Sequence, residues 1–287
     1  MKLGIVTALN ERPRISRIML NCFERLRSEY SSPHSPIELF AAVHTDEDHA
    51  LVEEYGGTAI KCEGNVAGHK FNRALYEAVL AGCDWFLIMG DDDAISSAYF
   101  ASWWNLPSMD YFGLRSNAYV NLQGMKAMQH TYKPKNKLIG AGRFISQKAI
   151  LNTCFPHLVE FIRDYDIYKV GHRTTLRPDQ SDYLREYGYV KVIDSAMYVP
   201  LWPTNAKKSL DHFSELRLVM AGYVPTAVDF EYLSSDKMHV TDFKSRDETQ
   251  NIWPYSILED KCKPITFEDA TWFLSDKERE YILTLKK

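Results

Sequence analysis

The 287 residues carry 45% hydrophobic and 25% charged side chains, the balance of a globular protein with a real core rather than a disordered chain. The formal net charge is −4, which counts against a nucleic-acid binder, and no apolar run reaches the roughly 20 residues that span a bilayer. Cys22, Cys62, Cys83, Cys154 and Cys262 are odd in number and form no CxxC pair, so the sequence predicts neither a disulfide framework nor a zinc site.

The opening MKLGIVTALNERPR lacks the marks of a signal peptide, and a reducing, cytoplasmic setting is expected. Within it LGIVTAL (3–9) is a β-rich run ending at a polar cluster. Ile15, Ile18, Met19, Cys22, Phe23 and Leu26 then keep helical spacing as far as Arg27. SSPHSP (31–36) is a turn-rich connector before a second strand, IELFAAVHT (37–45), and DEDHALVEEYGG starts with acids and ends with glycines, as a short helix does. A strand from Thr58 to Cys62, the polar turn EGNVAGHK and a helix from Lys70 to Ala81 closed by Gly82 follow. DWFLIMG reads as a strand buried on both faces. Strands alternating with helices at this spacing predict an α/β fold: a mostly parallel twisted sheet flanked by helices, with ligands beyond the carboxyl ends of the strands.

Past Asp93, SSAYFASWWNL predicts a Ser-capped helix, DYFGLRSNAYVNL a strand, and MKAMQHTYKPKNK a basic loop. RFISQKAILNTCF reads as helix, RPDQSDYLREYG as an acid-led helix and YVKVIDSAMYV as a strand. The tail from about Pro225 has weak periodicity and reads as helices and loops, so the expected division is a domain over 1–224 and an extension over 225–287 packed on it.

The chemistry gathers where DWFLIMG runs into Asp91, Asp92 and Asp93. Adjacent carboxylates raise one another's pKa unless a cation sits among them, and oxygen-only ligands suit Mn²⁺ or Mg²⁺. Asp91, Asp92 and Asp93 are therefore candidate metal ligands whose ion holds a diphosphate. The plainer alternative is that they favour the N-terminus of the helix near Ser96. From Tyr111 through Val159 the chain has no acid and a charge of +7, leaving about −11 elsewhere. That separation suggests an anionic ligand near the basic half, or simply a solvated basic loop. Pro134, Gly140 and Gly142 suggest a flap from Lys126 to Arg143 in which Lys133, Lys135 and Lys137 meet phosphate.

TALNER after the first strand, GNVAGHKFNRALYEA opening a helix and FLIMGDDDAIS resemble, in order and spacing, the GT-A type nucleotide-sugar glycosyltransferases, family two above all. The match covers about residues 3 to 100 and continues more weakly to about 215 through GAGRFISQKAIL and RPDQSDYLREYG. The resemblance implies the GT-A (nucleotide-diphospho-sugar transferase) fold with a C-terminal helical and loop extension. It also implies a metal-dependent, inverting transfer of a hexosyl or pentosyl group from a UDP- or GDP-sugar donor to a saccharide or other hydroxyl acceptor, with Mn²⁺ or Mg²⁺ as cofactor.

By the same resemblance Thr7, Asn10 and Arg12 line the nucleoside pocket. Asp46 is a weaker addition, because VHTDED replaces the family's acidic turn after strand two. Lys70 and Asn72 approach the diphosphate or the base, Asp91 and Asp92 face the donor, and Arg143 joins them. His212 in KKSLDHF, with Lys207 and Lys208 behind it, closes over the diphosphate. Two registers of the metal motif stay open: one starts at Gly90 and favours Asp92, the other pairs Asp91 with Asp93. Asp179 and Asp182, three residues apart at a helix start, are the candidate bases, Asp179 first and Asp182, at a capping position, second.

Trp103, Trp104, Trp202 and Trp253 suit sugar stacking but equally suit a core. Two other readings compete: a phage-type enzyme that glycosylates a hydroxymethylated DNA base, and a non-catalytic nucleotide-sugar-binding protein. A nucleotidyltransferase is disfavoured, since TALNERPR stands where its Gly-rich phosphate loop belongs.

Overall fold

The computed structural model describes residues 1–106, 108–133, 137–154, 191–193, 196–198, 200–202, 210–228, 233, 237–244 and 262–286. The first third alternates β1 (Leu3–Ala8), α1 (Pro13–Tyr30), β2 (Ile37–Val43), α2 (Asp46–Glu54), β3 (Thr58–Lys61), α3 (Ala67–Leu80) and β4 (Trp85–Ile88). Local signals explain the boundaries. Pro13 opens α1, where its missing N–H removes no helical bond. The Thr45 side chain caps α2 by accepting from Asp48 N, and three acids fill the first turn.

The chain continues as β5 (Asp93–Ile95), α4 (Ser97–Asn105), β6 (Tyr111–Gly113), β7 (Ser116–Asn121), β8 (Lys126–Thr131), β9 (Arg143–Ser146) and α5 (Gln147–Cys154). Then come β10 (Lys191–Ile193), β11 (Ala196–Tyr198), α6 (Leu210–Met220), β12 (Thr226–Ala227), β13 (Val240–Lys244), β14 (Lys263–Ile265), α7 (Phe267–Thr271) and α8 (Asp276–Thr284).

Among the described residues seven strands form the main sheet in the order β12-β6-β9-β4-β1-β2-β3, of which β9, antiparallel to both neighbours, is the reversed one. Side chains alternate across it as the pleat requires. Leu3 and Ile5, Leu39 and Ala41, Trp85 and Leu87 point to one core, while Val6, Phe40, Phe86 and Ile88 point to the other. The apolar stripe of α1 and Tyr99, Phe100 and Trp103 of α4 fill the first; Ala74, Leu75 and Ala78 of α3 and Ala149 and Ile150 of α5 fill the second. Because β1 leads by a helical crossover to β2 on one side while β4 joins it on the other, the chain reverses its winding between β1 and β4. The carboxyl ends of those two strands are where such a sheet opens a crevice.

A second sheet runs β14-β8-β7-β13-β5. The pairings in the sheets correct several expectations. The stretch expected as a basic loop contains β8, paired with β7 along its whole length from Lys126 to Thr131. The segment expected to be helical from Arg143 begins as β9, paired with β4. The single strand expected at 189–199 is a β10–β11 hairpin among its described residues. The tail expected as helices and loops adds β12 to the main sheet and β13 and β14 to the second.

Candidate functional site

β1 and β4 lie parallel, Val6 beside Ile88, so the turns that leave them meet. The first is tight: Glu11 takes a left-handed backbone (φ 60°), which non-glycine residues seldom adopt, and its N–H donates to Asp48 Oδ2 at 3.1 Å. This turn aims Asn10 and Arg12 at the β4 turn. Asn10 N and Ser16 Oγ each donate to Asp91 Oδ2 at 3.2 Å. Arg12 Nη2 donates to Asp91 Oδ1, and Arg12 Nη1 reaches Asp92 Oδ2 at 3.4 Å. Asp91 is expected among the metal ligands; its oxygens instead accept from Arg12, Asn10 and Ser16.

The residues that converge as a ligand set are Asp92, Asp93 and Asp242, whose nearest oxygens all lie within 4.8 Å of one another. β13 brings Asp242 there: it pairs antiparallel with β5 in a register that sets Asp242 directly opposite Asp93. Gly90 makes room. A Cβ on it would stand 2.8 Å from Asp93 Oδ2 and 3.0 Å from Asp92 Oδ1, and its N–H donates to Asp93 Oδ2 at 2.6 Å. On the same face of β13, Lys244 Nζ lies 3.2 Å from Asp92 Oδ2 and 2.6 Å from Asp242 Oδ1.

The electrostatics follow from this packing. Burial would raise Asp92, but Lys244 and Arg12 beside it hold its carboxyl below the ordinary value. For Asp93 the balance is reversed: burial, then Asp242 and Asp92 as like charges, push it well up and outweigh the Gly90 N–H and the charge of Lys244, which pull it down. Asp242 is pushed up to about 7, by burial against the pull of Lys244 and with Asp92 adding to the rise. The cluster is short of positive charge, and three hard oxygen donors around one point fit Mn²⁺ or Mg²⁺.

Around this centre Thr7 is fully buried near the end of β1, and its Oγ1 has no hydrogen-bond partner among the described residues. Lys70, also fully buried, donates to Leu9 O and, at 2.7 Å, to Asn65 Oδ1, tying the β1 turn to the start of α3. Burial lowers its pKa against the pull of Asp91 and Asp48.

Other residues expected at the donor take different partners. Asp46 lies on the surface, 2.7 Å from Lys61 Nζ, and the buried acid of that helix is Asp48. Asn72 clasps the Trp202 backbone, donating to its O at 2.6 Å and accepting from its N at 3.1 Å. Arg143 is buried and donates to Ile139 O, Leu138 O and Asp211 O at 2.6, 2.9 and 2.8 Å, so it fastens the start of α6 to the preceding loop. The Lys126–Arg143 segment is thus bounded by two paired strands instead of forming one flap. Lys133 and Lys137 are exposed within it, and Lys148 pairs with Asp110 at 2.9 Å. His212 sits half-buried in the first turn of α6. Trp103 and Trp202 are buried in the core. Asp179, Asp182, Lys135, Lys207, Lys208 and Trp253 lie outside the described residues.

Sequence reasoning missed Asp242 and Lys244. The alternation Val240-Asp242-Lys244 was visible, but only pairing across the sheet reveals which residues they face.

No protein-family model matches the chain, and no curated protein matches it. Among solved structures, TarS of S. aureus in complex with UDP-GlcNAc matches with a TM-score of 0.44 and 13% identity, over 100% of this chain and 71% of that one. The mannosyltransferase PcManGT from Pyrobaculum calidifontis in complex with GDP-Man and Mn²⁺ matches with a TM-score of 0.45 and 11% identity, over 99% and 72%. The synthetase of CMP:2-keto-3-deoxy-manno-octonic acid, complexed with CTP, gives 0.36 and 11%, over 85% and 90%.

Proposed function

We propose that this chain is a metal-dependent, inverting glycosyltransferase that moves a sugar from a nucleoside-diphosphate sugar to a hydroxyl acceptor. One observation carries the reading: at the winding reversal between β1 and β4, Asp92 and Asp93 from one turn meet Asp242 from a distant strand, with Arg12 and Lys244 as flanking cations. A bound Mn²⁺ or Mg²⁺ supplies charge stabilisation to the departing diphosphate. The chain's own part is to hold that charge in place. Arg12, Asn10 and Ser16 lock Asp91 and so brace the turn that presents Asp92 and Asp93. Thr7 and Asn10, at the end of β1, are the proposed nucleoside contacts. Asp179, with Asp182 second, remains the proposed base on sequence grounds. Five free cysteines, four of them buried, suit a reducing cytoplasm. Among the described residues no helix is long and apolar enough to cross a membrane.

The test is a thermal-shift screen with UDP-, GDP-, CDP- and dTDP-sugars in Mn²⁺ and in EDTA, because a ligand bound only by the folded state raises its stability. One donor should stabilise the protein in Mn²⁺ alone. Asp92→Asn with Asp242→Asn should remove that stabilisation while the far-UV spectrum stays native. Donor affinity unchanged by EDTA would sink the metal-dependent reading.

A further inference from the structure

Lys244 has a place that the sequence did not single out, and the proposed transfer uses it only as a flanking cation. Its side chain is only 13% exposed, and its ammonium rests between Asp92 Oδ2 at 3.2 Å and Asp242 Oδ1 at 2.6 Å. The placement is built rather than accidental. Alternation along β13 puts Lys244 and Asp242 on one face, and the Asp242–Asp93 register delivers that face to the β4 turn. On the neighbouring β7, the ring of Tyr119 stands 6.0 Å from the ammonium, within reach of a cation–π contact.

Two of the three carboxylates in the candidate metal set therefore already hold a cation. A divalent ion drawn to the same oxygens meets a like charge at contact distance, and the ammonium must give way. In so dry a site a displaced ammonium needs a new anion. The diphosphate of the donor is one.

We propose that Lys244 is a tethered competitor of the divalent cation: it keeps Asp92 and Asp242 paired in the nucleotide-free protein and moves to the diphosphate on binding, so that metal and nucleoside diphosphate load together. The inference rests on the nucleotide-sugar reading of this site. Its consequence is thermodynamic. Metal binds weakly alone and tightly with nucleotide, and by linkage the nucleotide gains the same factor from the metal. Asp93 completes the set, and Gly90 N donates to its Oδ2 at 2.6 Å.

The test measures Mn²⁺ binding to the intact chain by electron paramagnetic resonance, alone and with saturating UDP or GDP. Wild type should bind Mn²⁺ at least about tenfold tighter with nucleotide than without, within the range usual for coupled sites. Lys244→Met removes a positive charge at contact with the carboxylates and should bind Mn²⁺ alone at least about tenfold tighter than wild type. Its gain from nucleotide should fall to about threefold or less. Lys244→Arg keeps the charge and should behave as wild type. Folded Lys244→Met that binds Mn²⁺ no tighter than wild type overturns the inference. So does wild type that binds UDP or GDP and whose Mn²⁺ affinity is indifferent to it, whether or not the variants fold. Failure of UDP and GDP to bind at any Mn²⁺ level instead overturns the nucleotide-sugar reading, and the comparison in Mn²⁺ alone still decides the role of Lys244.

Discussion

The three aspartates after β4 are neighbours in sequence and strangers in environment. Asp91 is neutralised by Arg12, Asp92 is shared between Arg12 and Lys244, and Asp93 faces Asp242, with the like charges of Asp242 and Asp92 outweighing Lys244. That difference sets a pH dependence. Asp242, raised from 3.8 to about 7, and Asp93, raised well above the same value, keep protons in the folded chain at pH values where the unfolded chain has released them. Below pH 3.8 both states are protonated and the contribution is fully present. Between there and about 7 the folded state binds more protons than the unfolded state, so stability falls as pH rises. Urea titrations in EDTA should show this decline across that window, and Asp242→Asn should flatten it by removing one group and relieving the other. A decline just as steep in Asp242→Asn would assign the dependence to other groups.

At the level of elements, the first hundred residues were legible because their signals are local. Pro13 before an apolar stripe, Thr45 before three acids, and an unbroken apolar run into β4 each announce an element within a few residues. β8 and β9 were not legible. KAMQHT carries few β-branched residues and a basic start, and RFIS runs directly into a helix-forming stretch; each is a strand because a partner already stands beside it. The site divides in the same way. Arg12, Asn10 and the aspartates could be found from motifs at chain turns, whereas Asp242 required knowing that β13 pairs with β5. Asn72 and Arg143 occupy motif positions yet bind backbone, since polar groups buried beside loops are satisfied by whatever carbonyl or N–H lies in reach. The turn after β4 gives a sharper test. Gly90 has an ordinary backbone, so Gly90→Ala adds only a methyl group, aimed at Asp93 Oδ2 and Asp92 Oδ1. It should weaken Mn²⁺ binding by about tenfold or more through displaced ligands, with a stability change of about 1–3 kcal/mol from overpacking. Metal titration and urea unfolding separate the two, and unchanged Mn²⁺ affinity would mean the carboxylates have room to shift.

For the whole molecule, the carboxylate set lies where the two sheets meet, while the two apolar cores are built from the faces of the main sheet and its helices. Metal removal should therefore lower stability without altering what unfolds. At a donor and metal concentration one hundred times Kd the gain is about 2.7 kcal/mol, or roughly 4–5 °C in Tm for a chain of this size. EDTA should remove that gain and leave the urea m value unchanged, because the surface exposed on unfolding is the same. A lower m value would instead reveal that part of the fold dissolves with the metal. The joining of the sheets has a further effect, on the timing of synthesis. Lys244 follows Asp92 by 152 residues, and at roughly 5–20 residues per second a ribosome needs on the order of ten seconds to make that stretch. The βα units around β1 to β4 have their local contacts in hand well before then, yet their acids still lack both Asp242 and Lys244. A nascent or prematurely released chain can thus have its βα units in place and still lack the full carboxylate set, so the proposed site is completed only when β13 pairs with β5.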